Sequence, residues 1–211
     1  YGMSSTIRPE GVKHDPDNRL FWRQNRKRMD ASQLRDTMLV TAGTLDCSFM
    51  GPNISNARAV DGNDGGAGKL EYDFVFTDSR RSLYTPAFRN KRLELFEAFD
   101  FGNINQPIGK RNTSTVAPQA LYLMNHDFII SQSREAAKRL LDDSRFKDDT
   151  ARLAQAYHHT LGRLPTDREL RLALDLVAVS ASEANAAAKA EENWSLLFQS
   201  LFASVDFRHV E

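Results

Sequence analysis

The sequence predicts a mainly α-helical domain of about six helices carrying one small antiparallel β-hairpin. Three observations support this. Apolar residues recur at helical spacing through the second half, most cleanly at Trp194, Leu197, Phe198, Leu201, Phe202 and Val205. Two helix starts carry capping-box patterns, Asp30-x-x-Gln33 and Thr166-x-x-Glu169, in which cap and third residue satisfy each other's backbone N–H. Convincing strand alternation is confined to Leu70-Glu-Tyr-Asp-Phe-Val-Phe76.

Taken in order, His14-Asp-Pro-Asp-Asn18 is a turn, with Asp17 or Asn18 placed to cap a short helix over 18–28. That stretch holds five cations, Arg19, Arg23, Arg26, Lys27 and Arg28, around Phe21 and Trp22. From Asp30, Leu34, Met38, Thr41 and Leu45 follow at helical spacing, with an end near 43–46. Residues 51–69 read as a flexible loop, because Gly62, Gly65, Gly66 and Gly68 among Asn and Asp cannot build a core. The hairpin is expected over 70–88: a strand at 70–76, a turn at 77–81 and a return strand at 82–88, placed at an edge by Pro86. Lys91 to Phe99 is a short helix.

Gly109 to Asn125 is the stretch the rest is organised around. Thr113, Ser114 or Thr115 is placed to cap the helix that Pro118 starts, and Gln119 needs a fixed partner once buried. Further helices are marked by Phe128 to Leu140, and by Leu153, Tyr157 and Leu161 up to Gly162. In the helix opened by Thr166, Leu170, Leu174 and Val177 lie on one face and Leu172, Leu176 and Val179 on another, so it is expected to be covered on two sides. The alanine-rich run 178–190 leads to the last helix, either as continuous helix or as a connection.

At 211 residues the chain can bury one sizeable core, or at most two small ones, and residues 1–211 are read as a single helical domain. Hydrophobic and charged fractions of 41% and 27% are those of a globular protein, not a disordered one. Net charge is zero, which argues against a general polyanion binder. The single cysteine, Cys47, excludes an internal disulfide, a paired-cysteine zinc or redox site and a covalent haem attachment. No apolar run is long enough to span a bilayer. Opening at Tyr1 without a signal-peptide pattern, the sequence is expected to be a fragment of a longer multidomain protein.

The constellations that could carry chemistry each have a plainer use. The cations of 18–28 with Trp22 could hold phosphates and a base, but in a charge-balanced chain they read as a helix pairing with acids, with Phe21 and Trp22 in the core. Asp61-x-Asn63-x-Gly65 starts like a calcium loop yet lacks the bidentate glutamate at position twelve, where Tyr72 stands. His158 and His159 would point about 100° apart on a helix, and His14 sits among ordinary turn and cap acids. No metal ligand set, catalytic residue or cofactor is assigned to this chain. Hydrolase signatures are absent. The cation-rich turns Arg80-Arg81, Arg89-Asn90 and Lys110-Arg111 are read as holding loops rather than lining an anion pocket. The candidate polar cluster is Arg81, Tyr84, Arg89, Asn90, Arg111, Thr115, Gln119 and Asn125. Within it, Arg111, Thr115 and Gln119 are expected to form a hydrogen-bonded scaffold that holds 83–88 against the helix from Pro118. The rival is an open pocket for an anionic or sugar ligand.

Several motifs together resemble one family. They include Asp15-Pro-Asp-Asn-Arg-Leu20, Arg26-x-Arg28-Met-Asp-Ala31, Arg35-Asp36, Gly51-Pro52, Arg80-Arg-Ser-Leu-Tyr84, Arg89-Asn90, Phe99-Asp100 and Gly109-x-Arg111. Thr115-Val-x-Pro-Gln-Ala-Leu-x-Leu-x-Asn125, Leu161-Gly-Arg-x-Pro-Thr166 and 194–207 complete the set. The chain is similar to the planctomycete PSD-one family, a domain of unknown function, and corresponds to the C-terminal part of that domain. The resemblance implies an exported, extracytoplasmic multidomain protein, periplasmic or at the cell surface. Its partners would be other domains of the same polypeptide: an upstream planctomycete domain and a c-type cytochrome domain. Polysaccharide is a further candidate partner, and nucleic acid is disfavoured. The function expected on this basis is a non-catalytic structural or recognition module. The alternative is a carbohydrate- or anion-binding, or hydrolytic, domain completed by upstream residues. The family offers no catalytic residues to carry across.

Overall fold

The computed structural model describes residues 3–51, 74–178 and 185–210. Among them are eight α-helices: α1 (Pro9–His14), α2 (Ala31–Ala42), α3 (Glu94–Ala98), α4 (Ala117–Asn125), α5 (Asp127–Leu141), α6 (Asp149–Leu161), α7 (Asp167–Val177) and α8 (Ala186–Ala203). Two short strands, β1 (Lys27–Arg28) and β2 (His209–Val210), pair antiparallel with Arg28 opposite His209. Among the described residues the chain is mainly helical with one small antiparallel sheet, the predicted fold class, although the sheet is not the predicted hairpin.

The helix ends follow the local chemistry. Asp30 and Gln33 form the predicted capping box on α2, and Gly43 closes that helix at φ 76°, a left-handed value that favours glycine. Thr166 and Glu169 cap α7 reciprocally, and Asp148 caps α6 through the Ala151 N–H. Arg139 of α5 reaches the C-terminal carbonyls of α2 at Val40 (2.9 Å) and Thr41 (3.2 Å), supplying donors where the helix has none.

The core is built around α8. Trp194, Leu197, Phe198, Leu201 and Phe202 are all buried, and α8 packs on α4, α5, α6 and α7. Its main neighbour is α5, which presents Ile129, Ala136, Ala137 and Leu140; the small alanines let the two helices approach closely. Helix α2 also packs on α5 and contributes Leu34 and Met38 to the same core. Burying these aromatic and aliphatic side chains, at about 1.5–3 kcal/mol each, is the main force for assembly.

An ion-pair chain ties distant segments together. Arg163 donates to Glu169 from Nη1 (2.9 Å) and Nη2 (2.8 Å) and to Asp206 from Nη2 (2.8 Å), and Asp206 in turn accepts from Arg26 (3.0 Å). Stretches from both ends of the sequence are thereby fastened to the start of α7.

Five expectations need correction or restriction. The sheet is not at 70–88: Ser82–Tyr84 is a 3-10 turn, 74–79 forms no strand, and Arg80 makes only an isolated parallel bridge with Asp46. Residues 70–73 of that expected hairpin, most of the 51–69 loop and Val179 lie outside the described residues. No helix forms over 18–28, because Asp15 and Asn18 bond the backbone into a tight turn instead, and neither aromatic joins the core: Phe21 is 69% exposed and Trp22 half-buried. Helix α4 has Val116 at its cap position with no side-chain cap, so Thr113, Ser114 and Thr115 do not cap it. Helix α7 is covered on one side only, leaving Leu172 and Leu176 exposed.

Candidate functional site

The predicted polar residues do not converge on one site. Thr115 and Gln119 meet at the entrance of α4, but their partner is Arg28 of β1, not Arg111. Arg28 donates to the Gln119 side-chain oxygen (2.8 Å), to Thr115 Oγ1 (2.9 Å) and to the carbonyl of Ser114. Gln119, fully buried, donates in turn to Ser114 Oγ (3.2 Å). The Ser114 hydroxyl donates to Asp100, whose carboxylate also accepts the Ser114 N–H at 2.7 Å. Asp100 itself sits at φ 58°, a strained value for a non-glycine residue that the two bonds to Ser114 hold in place. The result is a polar relay, Arg28 to Gln119 to Ser114 to Asp100, with each donor facing an acceptor.

Arg111 is exposed. It makes a 3.2 Å ion pair with Asp30 and lies 4.8 Å over the Phe101 ring. It therefore steadies the α2 cap rather than joining the relay.

A second group surrounds Arg35 of α2, which is 5% exposed. Its guanidinium donates to the carbonyls of Arg80 (2.8 Å) and Asp78, while neighbouring Asp36 accepts the Ser82 N–H at 2.7 Å. Burial pulls the Arg35 guanidinium below its ordinary value, opposed by the charges of Asp36 and Asp78. Tyr84 belongs to this group. Its ring lies 4.9 Å from the Arg80 guanidinium, and its hydroxyl accepts the Met50 N–H at 3.2 Å. Arg81, Arg89 and Asn90 lie exposed on the surface beyond it, and Asn125 donates to the Leu121 carbonyl of its own helix at 3.0 Å.

The third group was not predicted. His126, between α4 and α5, donates from Nε2 to Glu94 (2.8 Å), and its Nδ1 accepts the Phe128 N–H (3.1 Å) as the cap of α5. Tyr122 stacks on the imidazole with centroids 4.2 Å apart, and burial, then Glu94, pushes its phenol well above the usual range. A histidine–carboxylate pair suggests a proton-transfer dyad. Here the nitrogen that a general base would use is already occupied by a backbone N–H, so the pair serves to join two helices.

The sequence signals for these contacts were weak. Arg28 was hidden in a run of like cations, and Asp100, Glu94 and His126 carry no spacing that links them. No group of three metal-binding side chains occurs among the described residues, and none of the described helices is long and apolar enough to cross a membrane. Residues 1–177 match the model of the family PSD1, described as a protein of unknown function (DUF1553). No curated protein and no solved structure gives a match.

Proposed function

The chain belongs to the PSD1 family of proteins of unknown function, and from that premise we propose that it is a non-catalytic structural or recognition module of an exported multidomain protein. Its neighbours in that protein are an upstream planctomycete domain and a c-type cytochrome domain, and its setting is extracytoplasmic. One observation supports this reading above the others: the side chains best equipped for chemistry turn their polar atoms inward. Arg28, Gln119, Ser114 and Asp100 satisfy one another, Arg35 holds loop carbonyls, and His126 caps a helix. A catalytic group needs an atom directed at a substrate position, and these atoms are directed at the fold.

The test is association. The chain and the c-type cytochrome domain encoded with it are produced separately and mixed, and complex formation is followed by analytical ultracentrifugation at the haem absorbance. A defined complex is the expected result. Absence of any complex, together with hydrolysis of a polysaccharide by the chain joined to its upstream domain, overturns the reading.

A further inference from the structure

The joint between α4 and α5 is a single residue, His126, which follows Asn125 and precedes Asp127. Its backbone closes one helix and opens the next. The N–H donates to the Tyr122 carbonyl at 3.0 Å, and the carbonyl accepts from Ile129 (2.9 Å) and Ile130 (3.2 Å). Both ring nitrogens are engaged as well, in opposite senses. Nε2 faces the Glu94 carboxylate at 2.8 Å, and Nδ1 faces the Phe128 N–H at 3.1 Å. A carboxylate accepts and a backbone N–H donates, so the ring that satisfies both carries one hydrogen, on Nε2. Tautomer and neutrality both follow from the partners.

A second proton sets these two contacts against each other. It can enter only at Nδ1, whose lone pair receives the Phe128 N–H. With hydrogen on Nδ1, two N–H groups face each other and the cap is lost. Phe128 is the second residue of α5 and has no carbonyl partner within the helix to turn to. The partial positive charge at the start of α5 also repels an imidazolium. The contact with Glu94 gains instead, because it becomes a charge-assisted bond. The added proton thus weakens the hold on α5 and strengthens the hold on α3.

The other groups around the ring come from three helices. Tyr122 of α4 stacks on it at 4.2 Å, and burial, then the Glu94 charge, pushes that phenol up, away from the imidazole range. Asp127 stands in the first turn of α5 and, like Glu94, favours a cation there. Arg35 of α2 opposes one: it lies 5.9 Å from the centre of the Phe128 ring, and its charge reaches Tyr122. Ile129 has no exposed surface and anchors the residue that follows. Release is therefore confined to Asp127 and Phe128, beside the guanidinium that holds the Asp78 and Arg80 carbonyls.

We propose that His126 is a pH-sensitive latch at the α4–α5 joint. Neutral, it pins the first turn of α5 to the end of α4; protonated, it lets that turn go and swings toward Glu94 of α3. Imidazole takes up such a proton between about pH 5 and 8, so mild acid is the trigger. The latch does not depend on what the module recognises.

The test is an NMR titration of the isotope-labelled full chain between about pH 8 and 4.5, across the imidazole range. Ring nitrogen shifts are expected to show the Nε2–H form at the alkaline end. The Phe128 amide resonance is expected to move with the same midpoint as the His126 ring. Its protection from hydrogen exchange, corrected for the intrinsic rate, is expected to fall about fivefold to tenfold in acid, the scale of a lost N-cap. Two variants separate the latch from general loosening in acid. In His126→Asn the side-chain oxygen caps without titrating, so Phe128 protection is expected to stay level across the range. In Glu94→Gln the carboxylate that favours the cation is gone, and the shared midpoint is expected to move to lower pH. An Nδ1–H tautomer, a Phe128 amide that ignores the His126 midpoint, or a midpoint that Glu94→Gln leaves in place overturns the proposal. So does His126→Asn losing protection in acid as the native chain does. If either variant fails to fold, the ring and amide titration of the native chain decides alone.

Discussion

Arg28 and Gln119, 91 positions apart in sequence, meet through a 2.8 Å hydrogen bond that joins the edge strand β1 to the first turn of α4. Gln119 has no exposed surface, so its amide depends wholly on Arg28 and Ser114. Gln119→Ala is therefore expected to destabilise the chain by about 1–3 kcal/mol, the cost of stranding the buried groups it satisfied. Urea denaturation measures this, and a loss below about 0.5 kcal/mol would show that water replaces the amide at no cost.

Phe198 stands at the centre of α8, 3% exposed and beside Phe202. Phe198→Ala removes a ring from a closely packed interior and is expected to cost about 3–5 kcal/mol, part of it for the cavity left behind. Denaturant titration against the wild type provides the value.

Gly11 approaches the Trp22 ring so closely that Gly11→Ala must push the indole aside or break its bond to the Asp15 carbonyl. The expected outcome is a shifted Trp22 emission, read in a Trp194→Phe background so that one indole reports, with a stability loss of about 1–3 kcal/mol for the overpacked site. An unchanged spectrum would place the ring elsewhere in solution.

The Arg163 network predicts an acid limit. Hydrogen bonds from Arg163, then from Thr166, lower the Glu169 carboxyl to about 2, and Arg163 followed by Arg26 lowers Asp206 as well. Both groups are depressed in the folded state, so their contribution is complete above the unfolded carboxylate range, near pH 4. It is lost as pH falls through the folded values. The site is about one-third exposed, which screens the gain to about 1 kcal/mol. Glu169→Gln is expected to flatten the stability loss between about pH 4.5 and 2 relative to wild type, measured by urea titrations across that range.

Much of the helical frame was legible because its signals are local. The Asp30 and Thr166 capping boxes, Gly43, Gly162 and the α8 stripe each depend on residues within a few positions. The apolar alternation at 70–76 misled because the return strand it required is replaced by a 3-10 turn, where Arg35 and Asp36 of α2 capture the backbone at 78–82. Arg111 was placed on Gln119 by proximity in sequence. Arg28 occupies that position because β1 pairs with β2, placing Arg28 opposite His209, 181 positions away, which no local pattern encodes. The turn at Asn18 was recognised, but the helix expected after it was not formed. Side-chain bonds from Asp15 and Asn18 outweigh helical propensity there.

Helix α8, on which α4 to α7 pack, begins beyond residue 177, where the family match ends. During synthesis the ribosome delivers it after the other described helices, at about 5–20 residues per second. Until it emerges, the faces of α4, α5, α6 and α7 that pack on it stay uncovered, and the β1–β2 clasp has only one of its strands. The core is therefore expected to close only once α8 has emerged, through contacts distant in sequence. A protein truncated at residue 177 would retain the whole stretch that matches the family and none of the indole and phenyl rings of α8. It is expected to be captured by chaperones rather than to fold.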